Sequence, residues 1–247
     1  MILISPAKRL TDKTSTSLLA STEPVFKKEA GILASELAKM STTELGSMMK
    51  VSDNIAELNA ARFKKWNESS ASEKRAIFQF EGDVFKHLGA KDFNEDEIVY
   101  LNNNLRILSG IYGLLKPSDE MKPYRLEMGT KNNFNGAASL YEFWGDKIAK
   151  KLMEELGDSV LFNLASEEYF SSVSKFLNKD KIINFKFLSI SNGKERVVGV
   201  IAKRARGEMA KYLIQNQVKT TQGIEKFSSI GFRFKEFSNN CYTFISS

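Results

Sequence analysis

Three short stretches hold the residue types that could carry chemistry. Leu3-Ile-Ser-Pro-Ala-Lys8 places Ser5 and Lys8 just past the carboxyl end of an apolar run that reads as a buried strand. Open α/β sheets put ligands at that end of a strand, and a hydroxyl beside an ammonium there can hold a phosphate. A strand exit with a solvated lysine accounts for the same residues equally well. In the second stretch, Pro117 and Pro123 bracket a turn that leads into Tyr124-Arg-Leu-Glu127. Proline fixes φ, so the segment is presented with little freedom. Arg125 can bind a carboxylate or phosphate in two-pronged fashion, and Glu127 can orient it or act as a base. The same two side chains can instead form a buried pair that only fixes a turn. Asn163 and Ser166 add polar groups where an apolar run, residues 159–165, gives way to a helix start at Ser166-Glu-Glu.

The third stretch is Ala202-Lys-Arg-Ala-Arg-Gly-Glu-Met-Ala-Lys211. Its pattern predicts a strand that ends at Ala202 and a helix from Lys203 to Gln217, so Lys203, Arg204 and Arg206 fall in the first turn and Lys211 further along. Cations at a helix N-terminus oppose the macrodipole, at about 0.3–1 kcal/mol each when exposed. A bound anion would offset that cost; the alternative is a basic solvated turn.

Other chemistries are poorly supplied. The chain has one histidine, His87, and one cysteine, Cys241. A thiolate or imidazole zinc cage needs more of them, and a serine–histidine triad would have only His87 to use. His87 falls at the end of a helical pattern, where a polar or positive group suits the dipole. No carboxylate spacing marks a metal site, and no cofactor is expected.

Lys50-Val-Ser-Asp-Asn-Ile joins two helical patterns, Thr42 to Lys50 and Asn54 to Trp66. So tight a connection resembles a helix-hairpin-helix, whose turn offers backbone amides to a DNA phosphate. Lys50, Ser52 and Asn54 would sit at that turn, with Arg62, Lys64 and Lys65 on the second helix. The usual motif carries glycines in its hairpin and this turn has none, so an ordinary helical hairpin fits the same residues.

The elements that must position these groups follow from pattern. Met1 to Ile4 reads as a strand stopped by Ser5-Pro6. Ser41-Thr-Thr-Glu44, Ser70-Ala-Ser-Glu73 and Ser139-Leu-Tyr-Glu142 have capping-box spacing, and Gly89 and Gly157 fall at helix ends. Gly110 and Gly113 stand in a helix-like context and would allow close helix packing. The β-rich runs Ile182 to Ile190 and Arg196 to Ala202 flank Ser191-Asn-Gly, a hairpin turn by composition; Phe232 to Phe237 and Cys241 to Ile245 flank Ser238-Asn-Asn, a second. A mixed α/β (α+β) single domain over residues 1–247 is expected, with helices around a central β-sheet.

Composition agrees. Of 247 residues, 42% are hydrophobic and 27% charged, a globular balance. A lone cysteine allows no internal disulfide. The apolar start is too short for the core of a signal peptide, and no apolar run approaches a membrane span, so a cytoplasmic protein without membrane contact is expected. The net charge of +6 is uneven: residues 171–240 hold 14 Lys and Arg against 5 Asp and Glu, whereas residues 1–170 hold 22 against 25. Concentrated positive charge favours polyanions, although a solvated basic face has the same composition.

Seven segments, LISPAK (3–8), SDNIAELNAARF (52–63), FEGDVFKHL (80–88), LRILSGIYGLLKPSDEMKPYRLEMG (105–129), LYEFWGD (140–146), NLASEEYF (163–170) and AKRARGEMA (202–210), make the chain resemble the YaaA family of bacterial peroxide-stress proteins. The resemblance implies a cytoplasmic protein that limits free intracellular iron and so protects DNA and proteins under hydrogen peroxide. It also implies a helix-hairpin-helix beside a positively charged cleft that binds duplex DNA, and it brings no catalytic residues. Duplex DNA, held mostly by its backbone, is therefore one expected partner. A phosphate-bearing small molecule is the other, because Ser5, Lys8, Tyr124, Arg125, Glu127, Asn163, Ser166, Lys203 and Arg206 are more varied than backbone binding requires. In that case the cleft would be an enzyme's.

Overall fold

The fold is that of a computed structural model, which describes residues 1–11, 19–68, 74–191 and 193–246. The first half runs β1 (Ile2–Ile4), β2 (Arg9–Leu10), α1 (Lys27–Ala38), α2 (Thr42–Met49), α3 (Asp53–Lys64), β3 (Lys74–Arg75), α4 (Ala76–Gln79), β4 (Phe80–Glu81), α5 (Asp83–Leu88), α6 (Glu95–Asn104), β5 (Leu105–Ser109), β6 (Gly113–Leu115) and β7 (Glu120–Met121). It continues with α7 (Leu140–Trp144), α8 (Lys147–Leu156), β8 (Leu161–Asn163), α9 (Glu167–Phe170), β9 (Ile182–Ser191), β10 (Lys194–Arg196), α10 (Gly199–Gln215), β11 (Phe232–Ser238) and β12 (Cys241–Ser246).

Eight strands form one mixed sheet in the order β11-β12-β9-β8-β1-β5-β6, with β10 added to β9. The five inner strands from β12 to β5 are parallel neighbours, and antiparallel β11 and β6 close the two ends. Parallel strands covered on both faces read as unbroken apolar runs. Ile2, Leu3 and Ile4 on β1 obey this, each at most 1% exposed. The mixed α/β single domain expected from the sequence is the fold observed.

Local signals hold where the chemistry is local. The Ser41 hydroxyl accepts the Glu44 N–H while the Glu44 carboxylate accepts the Ser41 N–H, the full capping box of α2. Ser139 accepts from the Glu142 N–H, but the Glu142 carboxylate takes the Ala138 N–H, one residue earlier than expected. The third expected box, Ser70 to Glu73, lies outside the described residues, as does Asn192 of the β9–β10 turn. Asn239 and Asn240 both take positive φ, the two-residue hairpin geometry that joins β11 to β12.

Two expectations are corrected. The run from Arg196 to Ala202 is not a strand: β10 ends at Arg196 and α10 begins at Gly199. β-Branched Val200 and Ile201 enter the helix because α10 buries Ala202, Ala205, Met209 and Ala210, and tertiary burial outweighs a propensity of a few tenths of a kcal/mol. Gly110 and Gly113 are not in a helix: Gly110 lies in the tight turn between antiparallel β5 and β6, and Gly113 is the first residue of β6, opposite Ser109. A Cβ at Gly110 would lie 2.3 Å from the Leu126 carbonyl oxygen, and one at Gly113, where φ is +65°, would meet the Trp144 ring at 2.8 Å. The glycines let the 124–128 segment and Trp144 press directly on the strand end.

Candidate functional site

A cavity of about 240 Å³ opens at the carboxyl ends of β1 and β8. Past β1 the chain reaches Ser5, and past β8 it reaches Ser166. The Ser5 hydroxyl accepts the Ser166 N–H at 2.8 Å and donates to the Ser166 hydroxyl at 3.1 Å, so the two strand exits are tied together. The next residues of the first exit pair through β2 with β4, Arg9 opposite Glu81, which brings Gly82 and Asp83 to the rim. A Cβ at Gly82 would sit 2.9 Å from the Ala7 Cβ, so this approach requires glycine.

The opposite wall is the 124–127 segment. Tyr124 is buried, and its hydroxyl shares a hydrogen bond with Ser109 at the end of β5. Ser109 in turn accepts the Tyr112 N–H at 2.9 Å, which locks the wall to the β5–β6 turn. Helices α5 and α10 close the remaining side. A Cβ at Gly207 would lie 2.4 Å from the Val84 carbonyl oxygen, so only glycine lets α10 come this near to α5. That contact carries Lys203 and Arg206 to the cavity. His87 fastens the same junction, with Nδ1 2.8 Å from Glu208 Oε1, and Glu208 Oε2 accepts the Ser229 hydroxyl at 2.9 Å.

The electrostatics are of mixed sign. Glu127 bridges two cations: Oε2 is 2.6 Å from Lys8 Nζ, and Oε1 accepts from Arg125 Nη2 at 3.2 Å. Arg125 Nε is buried and has no hydrogen-bond partner among the described residues. Arg206 and Lys203 form no ion pair among the described residues, and burial pushes the Arg206 guanidinium below its usual pKa. A desolvated cation without a counter-charge among the described residues is unfavourable and is relieved by an anion. Glu168 is spent on the Gly129 N–H at 2.9 Å. Beside it, Tyr169 has a phenol raised well above the ordinary range by burial and then by the neighbouring Tyr124, Glu168 and Glu127. It is a neutral hydrogen-bond donor at any physiological pH.

Ser5, Lys8, Tyr124, Arg125, Glu127, Ser166, Lys203 and Arg206, expected from the sequence to matter, all line this one cavity. Asn163 does not line it. Its side chain donates to Asn184 Oδ1 and accepts the Ala165 N–H, holding the β8 exit in register with β9. Arg204 points to Asp83 at 3.8 Å, and Lys211 lies about two turns further down α10. The three cations expected in the first turn of that helix fall in its second, because α10 starts earlier, so the macrodipole cost inferred from sequence is smaller.

Lys50, Ser52, Asn54, Arg62, Lys64 and Lys65 do not line the cavity either. They belong to α2, α3 and their connection, in which Lys50 takes the left-handed conformation at φ +52° and ends α2. Sequence reasoning missed Glu168, Tyr169, Gly82 and Asp83. Their only signal was two acids beside a glycine in Glu81-Gly-Asp83, and Glu167-Glu168 at a helix start, which read as capping. Among the described residues no group of three or more His, Cys, Asp or Glu side chains is gathered to hold a metal ion.

The profile of a family described as peroxide stress protein YaaA matches residues 1–237. A UPF0246 protein of Aliivibrio fischeri (strain MJ11) is 42% identical, the match covering 99% of this chain and 96% of that protein. UPF0246 proteins of Clostridium botulinum (strain Alaska E43 / Type E3) and Colwellia psychrerythraea are 40% and 39% identical, covering 97% and 96% of this chain and 96% and 94% of theirs.

Proposed function

The chain belongs to the peroxide stress protein YaaA family, and from that premise we propose that it serves peroxide defence by binding phosphate groups at the strand-end cavity, with duplex DNA as its macromolecular ligand. The observation that supports this reading is that Arg206 and Lys203, which form no ion pair among the described residues, line the same hollow as Lys8 and Arg125. Cationic side chains recessed in a hollow meet phosphates rather than base edges in the grooves, so in this proposal binding is to the DNA backbone with little sequence preference. The α2–α3 connection, with Lys50, Ser52 and Asn54, supplies a second phosphate contact in this proposal, and Arg62, Lys64 and Lys65 add to the basic surface. Limiting free iron is then indirect, since one His and one Cys leave only carboxylates as ligands. Stoichiometric iron retained through dialysis would overturn that part.

The test is the double variant Lys203→Glu with Arg206→Glu, in a gel shift on duplexes of unrelated sequence. Its affinity should fall by about tenfold or more on every duplex, on the order of 1.4 kcal/mol. Affinity equal to the wild type would remove the cavity from DNA binding.

A second reading is favoured by Glu127, a carboxylate held between Lys8 and Arg125 next to the neutral phenol of Tyr169. An acid or base and a donor beside an anion site are the parts of an enzyme acting on a nucleotide or another phosphate-bearing substrate. Turnover of such a compound by the wild type and its loss in Glu127→Gln would establish it; no turnover across nucleoside mono-, di- and triphosphates would sink it.

A further inference from the structure

We infer that the cavity takes one phosphate monoester borne on a nucleoside, with the doubly charged phosphoryl group on Arg206 and Lys203. The inference rests on the phosphate-binding reading above and narrows its ligand. Three observations lead to it.

The first is charge matching. Glu127 already partners Lys8 and Arg125, so the cations left without a carboxylate are Arg206 and Lys203, two positive charges one helical turn apart on α10. A phosphodiester brings one negative charge, whereas a monoester brings nearly two above its second pKa near 6. Arg125, whose Nε is buried with no hydrogen-bond partner among the described residues, lines the same cavity.

The second is the sign of the rest of the lining. Glu81, Asp83, Glu127 and Glu168 all line the hollow, the first two paired with Arg9 and Arg204. Carboxylates there repel a polyanion laid along the cavity but accept hydrogen bonds from sugar hydroxyls or base amines. Val84 and Phe85 on one side, Leu126 on the other and Leu164 past β8 add apolar lining against which a flat ring can pack.

The third is size. At about 240 Å³ the cavity lies below the range typical of drug-sized ligands, roughly 300–1,000 Å³. It has room for one phosphoryl-bearing group at a time, so a duplex reaches it only through a backbone phosphate at the rim or through a strand end. The same chemistry arrives from two sources: a free mononucleotide or the phosphorylated end of a DNA strand.

The full chain is titrated calorimetrically with deoxyadenosine 5′-monophosphate, its methyl phosphodiester and deoxyadenosine. In parallel, labelled duplexes with 5′-phosphate or 5′-hydroxyl ends are followed by anisotropy. The monophosphate should bind one to one, about tenfold or more tighter than the methyl ester. Its affinity should rise between pH 5 and 7.5 as the second charge forms, and Arg206→Gln should lose about tenfold or more. Stronger binding of 5′-phosphate duplexes identifies the DNA end as the source; binding of the free nucleotide with no end effect identifies the metabolite. Either supports the inference. Equal binding of monophosphate and methyl ester, or none of either with duplex binding intact, overturns the inference and leaves the DNA reading standing. Loss of all phosphate and duplex binding overturns both. Should Arg206→Gln lose its circular dichroism spectrum, the exposed Lys203→Ala and the wild-type pH profile decide the same question.

Discussion

The α2–α3 pair and the strand-end cavity both offer basic residues to a phosphate, yet they are built in opposite ways. The helical pair is assembled from neighbours in sequence, with its first helix started by Ser41 and Glu44 and ended at Lys50. Its cations Lys64 and Lys65 are exposed, where water and salt screen them. The cavity draws on residues from Ser5 to Arg206, and its key cation is partly withdrawn from water with no counter-charge among the described residues. Equal formal charge is therefore unequal in effect: a phosphate gains more from a desolvated guanidinium than from a solvated ammonium. A count of lysines and arginines cannot reveal this difference, because it lies in the surroundings of each charge.

The largest expected effect tests the assembly of the cavity. Gly207→Ala forces a Cβ onto the Val84 carbonyl, and overpacking of this kind costs about 1–3 kcal/mol. For a chain of this length each kcal/mol lowers Tm by about 2–4 °C. Thermal unfolding should show that fall together with weakened phosphate binding; an unchanged Tm would mean that α5 and α10 are not pressed together.

Next comes the contrast in charge. Lys64→Glu with Lys65→Glu should weaken duplex binding by no more than about threefold, against tenfold or more for the reversal at Lys203 and Arg206. If the order is inverted, the helical pair and not the cavity is the main DNA surface. Ser41→Ala should cost about 1 kcal/mol in chemical denaturation through loss of the α2 cap. It should leave phosphate affinity as it was, since nothing in the cavity depends on that helix start. The smallest effect is expected at Glu127→Gln, which keeps the shape but frees Lys8 and Arg125. Phosphate affinity should rise by about twofold to fivefold, since partly exposed ion pairs are worth less than about 1 kcal/mol. A fall would show that Glu127 orients Arg125 more than it neutralises it.

What could be read from the sequence follows the same division. Caps, hairpin asparagines and the apolar strand Ile2–Ile4 were readable because each signal lies within a few residues. Ser5, Lys8, Arg125 and Arg206 could be nominated by type and by place at a strand exit, turn or helix. That they share one hollow depends on the β1–β8 and β2–β4 pairings and on the α5–α10 contact, which join segments far apart in the chain. Val200 and Ile201 misled because their β propensity is weaker than the burial of the helix they begin. Gly110 and Gly113 misled because the reason for a glycine, here Leu126 and Trp144, lies elsewhere in the sequence. Glu168 and Tyr169 escaped because acids at a helix start have an ordinary explanation.

The placing of β1 at the middle of the sheet bears on how the chain is made. Its flanking partners begin at Leu105 and Leu161, so during synthesis this greasy segment waits for roughly 100 residues and then roughly 160 before both its sides are paired. Ribosome-bound chains halted before β8 emerges should remain open to protease, while chains released past α9 should resist it. The hollow proposed for a phosphoryl group is then among the last parts of the molecule to mature, and a stalled ribosome carries a product in which that hollow is not yet built.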